Sequence, residues 1–206
     1  MTFPDHQYHS LASFVQDYAG RLGNALASVN SVDLERAIKM IRETMHRDGV
    51  IHTCGNGGSA AIANHMVCDF LKGTRVDTDL RLRVNSLTCN APLMTALAND
   101  IEYEEIFVFQ LEAMARPGDM ILTISSSGDS ENIARAVTWG RNGGYPVLSM
   151  TGFSGGRSAR DADVNLHVNA DNYGVIEDTH QALMHCIAQF ARMSRMDEHL
   201  LRTRTF

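Results

Sequence analysis

From Gly49 onward, short apolar runs alternate with amphipathic segments, and this alternation constrains the fold more than any other feature. The runs are "VIHTC" (50–54), "RLRVN" (81–85), "DMILTI" (119–124), "YPVLSM" (145–150) and "DVNLHV" (163–168). Between and after them lie helical patterns at about 59–71, 91–98, 102–115, 130–142 and 174–194. Strands alternating with helices predict an α/β fold whose mainly parallel five-stranded sheet is covered on both faces. Right-handed crossovers follow.

Two helices precede the first strand. Residues 10–28 place Leu11, Phe14, Val15, Tyr18, Leu22 and Leu26 on one stripe, and residues 32–47 do the same with Leu34, Ile38, Ile41 and Met45. Gly49 is the expected C-cap of the second helix. No linker or repeat interrupts the chain, so residues 1–206 read as one domain: helices over 10–48, then an α/β core with a long last helix over 49–194. Apolar residues make up 44%, enough for a packed core of this size. A net charge of −6 argues against broad binding to nucleic acid. No apolar run is long enough to span a membrane, and the first residues carry no secretory signal. Cys54, Cys68, Cys89 and Cys186 form no CxxC pair, as expected of reduced thiols in a cytoplasmic protein.

Ligands of open parallel sheets bind beyond the carboxyl ends of the strands. That rule selects the loops 54–59, 85–92 and 125–130. In "CGNGGS", Asn56, Gly57, Gly58 and Ser59 lead into a helix whose N-terminus offers free N–H groups to an anion. Ser59 is the expected N-cap. The loop is neither a Walker A sequence nor a GxGxxG fingerprint, and a plain tight turn is the competing reading. "ISSSGDSEN" crowds Ser125, Ser126, Ser127 and Ser130 around Gly128, with Ser130 at the next helix start. Two such loops at one sheet edge suit a phosphate monoester.

His65 and Asp69 stand four apart on one helix, and Glu177 and His185 eight apart on the last helix. Two imidazoles and two carboxylates are suitable ligands for Zn²⁺. From spacing alone, a helix-surface pair and a packed histidine explain the same residues.

"CGNGGS", "LANDIEYEEIF", "PGDMILTISSSGDS" and "SMTGFSGGRSARDADV" resemble the sugar isomerase (SIS) domain family, and within it the phosphoheptose isomerases, over about residues 10–194. The resemblance implies a three-layer α/β/α sandwich, flavodoxin-like, with leading N-terminal helices. It implies a homo-oligomer, a tetramer with sites between subunits. It assigns phosphate binding to Ser59, Ser125, Ser127 and Ser130, and contacts near the sugar to Ser126 and to the Asn99–Asp100 pair. It places one Zn²⁺ per subunit on His65, Asp69, Glu177 and His185, where family members carry glutamate at 69 and glutamine at 177. A family aspartate is Gly174 here, and another is Cys89.

The implied reaction is an aldose–ketose isomerisation that converts sedoheptulose 7-phosphate to D-glycero-D-manno-heptose 7-phosphate for cell-surface polysaccharide. Asp69 takes the base role and His185 the acid–base role opposite it, while the metal orients the sugar. Two alternatives remain: an isomerase of a different phosphosugar, and a non-catalytic SIS protein that binds a sugar phosphate or a protein partner.

Overall fold

The computed structural model describes residues 3–206. The leading helices are α1 (Leu11–Ala27) and α2 (Ser31–His46). The Ser10 hydroxyl caps α1 by accepting the Ser13 N–H, and the Asn30 side chain caps α2 by accepting from Val32 and Asp33. Gly49 is not the C-cap that its position suggested. Arg47 is, and Asp48 then takes the left-handed conformation with φ 56°. The N–H groups of Asp48 and Gly49 return to the carbonyls of Met45 and Thr44, which closes a Schellman motif. Gly49 is required for another reason: a Cβ there would fall 2.0 Å from the Gly118 carbonyl oxygen.

The five strands are β1 (Val50–Gly55), β2 (Arg83–Ser86), β3 (Met120–Ser125), β4 (Val147–Thr151) and β5 (Val164–His167). All neighbours pair in parallel, in the order β2-β1-β3-β4-β5. Alternate residues enter two separate cores. Met120, Leu122 and Ile124 of β3 face the first, with Ile38 and Ile41 of α2, Ile62 and Met66 of α3 (Gly58–Cys68), and Leu183 of the last long helix, α8 (Tyr173–Met193). Ile121 faces the second, with Leu97 of α4 (Ala91–Asp100), Leu111 of α5 (Val108–Met114) and Ile133 of α6 (Glu131–Asn142). The three-layer α/β/α sandwich therefore forms as expected.

The segment expected as one helix over 102–115 is broken. A 3₁₀ turn (Tyr103–Glu105) precedes α5, because Glu102 before it is extended, with φ −164° and ψ 155°. Two short helices were not expected, α7 (Gly156–Asp161) and α9 (Glu198–Leu201). At six and four residues they are too short to show an apolar period. Among the described residues no helix is long and apolar enough to cross a membrane.

The strand order puts the topological switch between β1 and β3. The connections leaving these two strands go to opposite faces, which opens a crevice at their carboxyl ends. Both loops singled out above, after Cys54 and after Ile124, leave the sheet at that crevice.

Candidate active site

The glycine loop follows β1. Gly57 has φ 53° and stands at the N-cap of α3, so the helix begins at Gly58 rather than after Ser59. Ser59 is instead buried in the first turn. Among the described residues no side chain caps α3, which leaves its first N–H groups for a ligand. The serine loop follows β3. Ser125 Oγ accepts the Gly128 N–H at 3.1 Å, and Ser127 Oγ accepts the Asp129 N–H at 3.3 Å. Ser130 does stand at the N-cap of α6, yet its hydroxyl makes no capping bond. Ser126 Oγ is buried and has no hydrogen-bond partner among the described residues. A buried hydroxyl without a partner costs stability, so its retention at the crevice fits a bond to a ligand.

Asn132, in the first turn of α6, joins the two loops. It exchanges amide hydrogen bonds with Asn56 at 2.9 and 3.0 Å. Asn56 Oδ1 also accepts the Tyr103 hydroxyl at 2.9 Å. Asn132 is 1% exposed, and it was missed in the sequence because an asparagine beside a helix N-cap looks like ordinary loop chemistry. Through Tyr103 the segment after α4 is drawn to the glycine loop. Asn99 and Asp100 end α4 just before it, both exposed, and bond one another at 2.7 Å.

Helix α3 changes character at Asp69. The Asp69 carbonyl accepts the Thr74 N–H at 3.0 Å, a bond to the fifth residue on, and a π-helical turn runs over Asp69–Gly73. Such turns recur at functional sites. The Asp69 carboxylate is shared: Oδ1 lies 3.3 Å from His65 Nε2, and Oδ2 lies 2.8 Å from His185 Nδ1. The two rings meet edge to face with centroids 5.0 Å apart. Gln181, one turn before His185 on α8, places its amide 2.9 Å from His185 Nε2. An amide donor there fits the tautomer that carries its proton on Nδ1, directed at Asp69. Gln181 was not anticipated, although the spacing of four residues on one helix was available as a signal.

The four-residue metal set expected from the sequence separates into three residues and one. His65, Asp69 and His185 offer donor atoms that all lie within 4.8 Å of one another. Glu177 stands apart, its carboxylate lying over Gly58 so closely that a Cβ on that glycine would fall 2.2 Å from Oε2. The reason is helix geometry: eight residues on α8 span about 12 Å, and Glu177 is level with the start of α3 while His185 is level with its end. Burial, and then the charge of Asp178, raises the Glu177 carboxyl above the usual carboxylate range. Two imidazoles and one carboxylate are the donor types of an open zinc site with three protein ligands. The donor set therefore fits a divalent metal.

Comparison with known proteins identifies the family. The family model described as the SIS domain matches residues 14–152. The chain belongs to the SIS domain family. Within that family, it is 36% identical over 156 residues to the phosphoheptose isomerase of Roseiflexus sp. (strain RS-1), covering 76% of this chain and 79% of that one. It is 39% identical over 139 residues to the phosphoheptose isomerase of Mycobacterium bovis (strain BCG / Pasteur 1173P2), covering 68% and 70%. The solved phosphoheptose isomerase of Neisseria gonorrhoeae superposes with a TM-score of 0.80 at 27% identity, covering 89% of this chain and 97% of that one. The five-stranded SIS sheet and its leading helices are thus common to both.

Proposed function

We propose that this SIS domain protein is a phosphoheptose isomerase that interconverts sedoheptulose 7-phosphate and D-glycero-D-manno-heptose 7-phosphate. The observation that carries the reading is the Asp69 carboxylate held between His65, on the helix that starts at the glycine loop, and His185 of α8. An aldose–ketose isomerisation moves a proton between two neighbouring carbons and shifts the carbonyl. It needs a base at carbon, an acid at oxygen and a fixed substrate.

In this proposal the serine loop and the start of α3 hold the phosphate through Ser59, Ser125, Ser127 and Ser130, with the backbone of Asn56, Gly57 and Gly58 alongside. Ser126 and Asp100, with Asn99, meet the sugar. Asp69 takes the proton from carbon, and His185 moves the proton at oxygen. Gln181 keeps the His185 ring in one orientation. His65, Asp69 and His185 would hold a Zn²⁺ ion, and bound metal would polarise the carbonyl. We place the enzyme in the cytoplasm, as a homo-oligomer whose expected state is a tetramer.

Incubation with sedoheptulose 7-phosphate, with and without chelator, followed by NMR of the sugar, tests the reading. Appearance of the aldose supports it, and loss of that signal on chelation supports the metal. No conversion by zinc-loaded protein that still binds phosphate would refute it. Glu177 over Gly58 favours a second reading, the same chemistry on a different phosphosugar, since this carboxylate narrows the crevice. A panel of ketose phosphates of different chain length separates the two.

A further inference from the structure

The serine loop is braced from outside. The connection between β4 and α7 lies against it together with the first turn of α7, and three N–H groups of this segment donate to it: Gly152 to the Ser126 carbonyl at 2.9 Å, Ser158 to the Gly128 carbonyl at 2.9 Å, and Arg157 to Asp129 Oδ1 at 3.0 Å. The approach is so close that only glycines fit. A Cβ on Gly128 (φ 68°) would fall 1.9 Å from the Gly155 carbonyl oxygen, and one on Gly156 (φ 55°) would fall 2.7 Å from the Ser127 carbonyl oxygen.

The Arg157 side chain completes the contact. Its Nε donates to Asp129 Oδ1 at 3.2 Å, its Nη2 to the Asp129 carbonyl at 2.7 Å, and its Nη1 to Glu131 Oε2 at 2.8 Å. Asp129 and Glu131 flank Ser130. The other Glu131 oxygen accepts Arg135 Nε at 3.1 Å, and Arg135 reaches Glu105 of the 3₁₀ turn and Glu102 just before it. One guanidinium therefore grips the backbone and side chain of a residue in the middle of the loop. All three of its nitrogens are engaged, and two carboxylates offset its charge.

We infer that Arg157, acting through Asp129, is a positioning residue that holds the serine loop in its phosphate-binding shape without touching the phosphate. This rests on the reading of that loop as a phosphate site. Surface ion pairs add little to global stability, and these side chains are 38%, 54% and 45% exposed for Arg157, Asp129 and Glu131. The cluster's effect is on loop geometry: a loop that is already ordered loses less entropy when phosphate binds.

The test compares the full-length wild type with R157A, R157K and D129N. It measures kcat and KM for sedoheptulose 7-phosphate, and calorimetric affinity for inorganic phosphate. In R157A and D129N, KM and the phosphate Kd are expected to rise roughly tenfold with kcat within about twofold, the pattern of lost uniform binding. R157K is expected to resemble R157A, because one ammonium cannot replace a fork that reaches three acceptors. The sign for D129N is decisive. If Arg157 contacted phosphate directly, freeing it from Asp129 would tighten binding. Tighter phosphate binding in D129N, full recovery in R157K, or unchanged constants in R157A would each overturn the inference. Should R157A lose its fold, D129N and R157K decide. A wild type that fails to bind phosphate overturns the reading of the loop itself, before any substitution is made.

Discussion

Asp69 and His185 are 116 positions apart in the chain, and their side chains meet at 2.8 Å. With His65 on the other carboxylate oxygen, Asp69 is held from two sides. As the base of the proposed reaction, a carboxylate so held would be oriented before the substrate arrives, which is where much of the advantage of a positioned acid–base pair lies.

Replacing His185 by Gln removes the proposed proton carrier opposite Asp69. Turnover is expected to fall by about 10²–10⁴-fold. Phosphate affinity should stay near the wild-type value, because His185 is level with the far end of α3 from the phosphate loops. NMR of the sugar and phosphate calorimetry check the two halves. Wild-type turnover in this variant would remove His185 from the mechanism.

Ser126 offers a case in which stability and activity should part. Its buried hydroxyl has no partner among the described residues. Ser126→Ala removes an unsatisfied group, so unfolding free energy should hold steady or rise by up to about 1 kcal/mol, while kcat/KM falls. Urea melts and steady-state kinetics measure both. A clear loss of stability would show instead that the hydroxyl has a structural partner.

Glu177 places a carboxylate at the start of α3, where an anion is expected to bind. Glu177→Gln should tighten inorganic phosphate binding by about three- to tenfold at low salt, since an unfavourable charge at this range is worth roughly 1 kcal/mol near a surface. The gain should shrink in high salt. Zinc content should not change, because the carboxylate lies outside the cluster of His65, Asp69 and His185. Loss of zinc from this variant, read by elemental analysis, would return Glu177 to the metal set.

His180 is fully buried in α8, and neither ring nitrogen has a hydrogen-bond partner of good geometry among the described residues. Burial pushes its pKa down from 6.5 to about 4. The unfolded chain therefore takes up this proton first as the pH falls, so folded stability is intact above 6.5 and is lost progressively toward 4. His180→Leu should lose about 2 kcal/mol less than wild type between about pH 7 and about pH 5. Urea midpoints at the two pH values provide the measurement. Equal losses would mean that His180 is not the group responsible.

Much of the site was legible as local pattern. His65 and Asp69 share a helix, and a spacing of four guarantees that they share a face. The two loops were marked by glycine and serine between a strand and a helix. Ser59 and Gly49 were misplaced by one or two positions, because a cap depends on which residue takes the left-handed backbone. At the end of α2 that residue is Asp48, and before α3 it is Gly57. Asn132 and Arg157 carried no local sign of their roles, since their partners lie on other elements, and the spacing of four between Gln181 and His185 did not say how the ring is held.

The amino-acid sequence by itself determined the five strands and the long helices, because apolar period and capping chemistry act between residues a few positions apart. Its several ordered motifs also marked the family. Tertiary structure alone decided the strand order, and with it which loops share the crevice. It set α3 beside α8, so that Asp69 meets His185 while Glu177 falls at Gly58 instead. These pairings depend on which apolar faces are buried against which, and that is settled only when the whole sheet is covered.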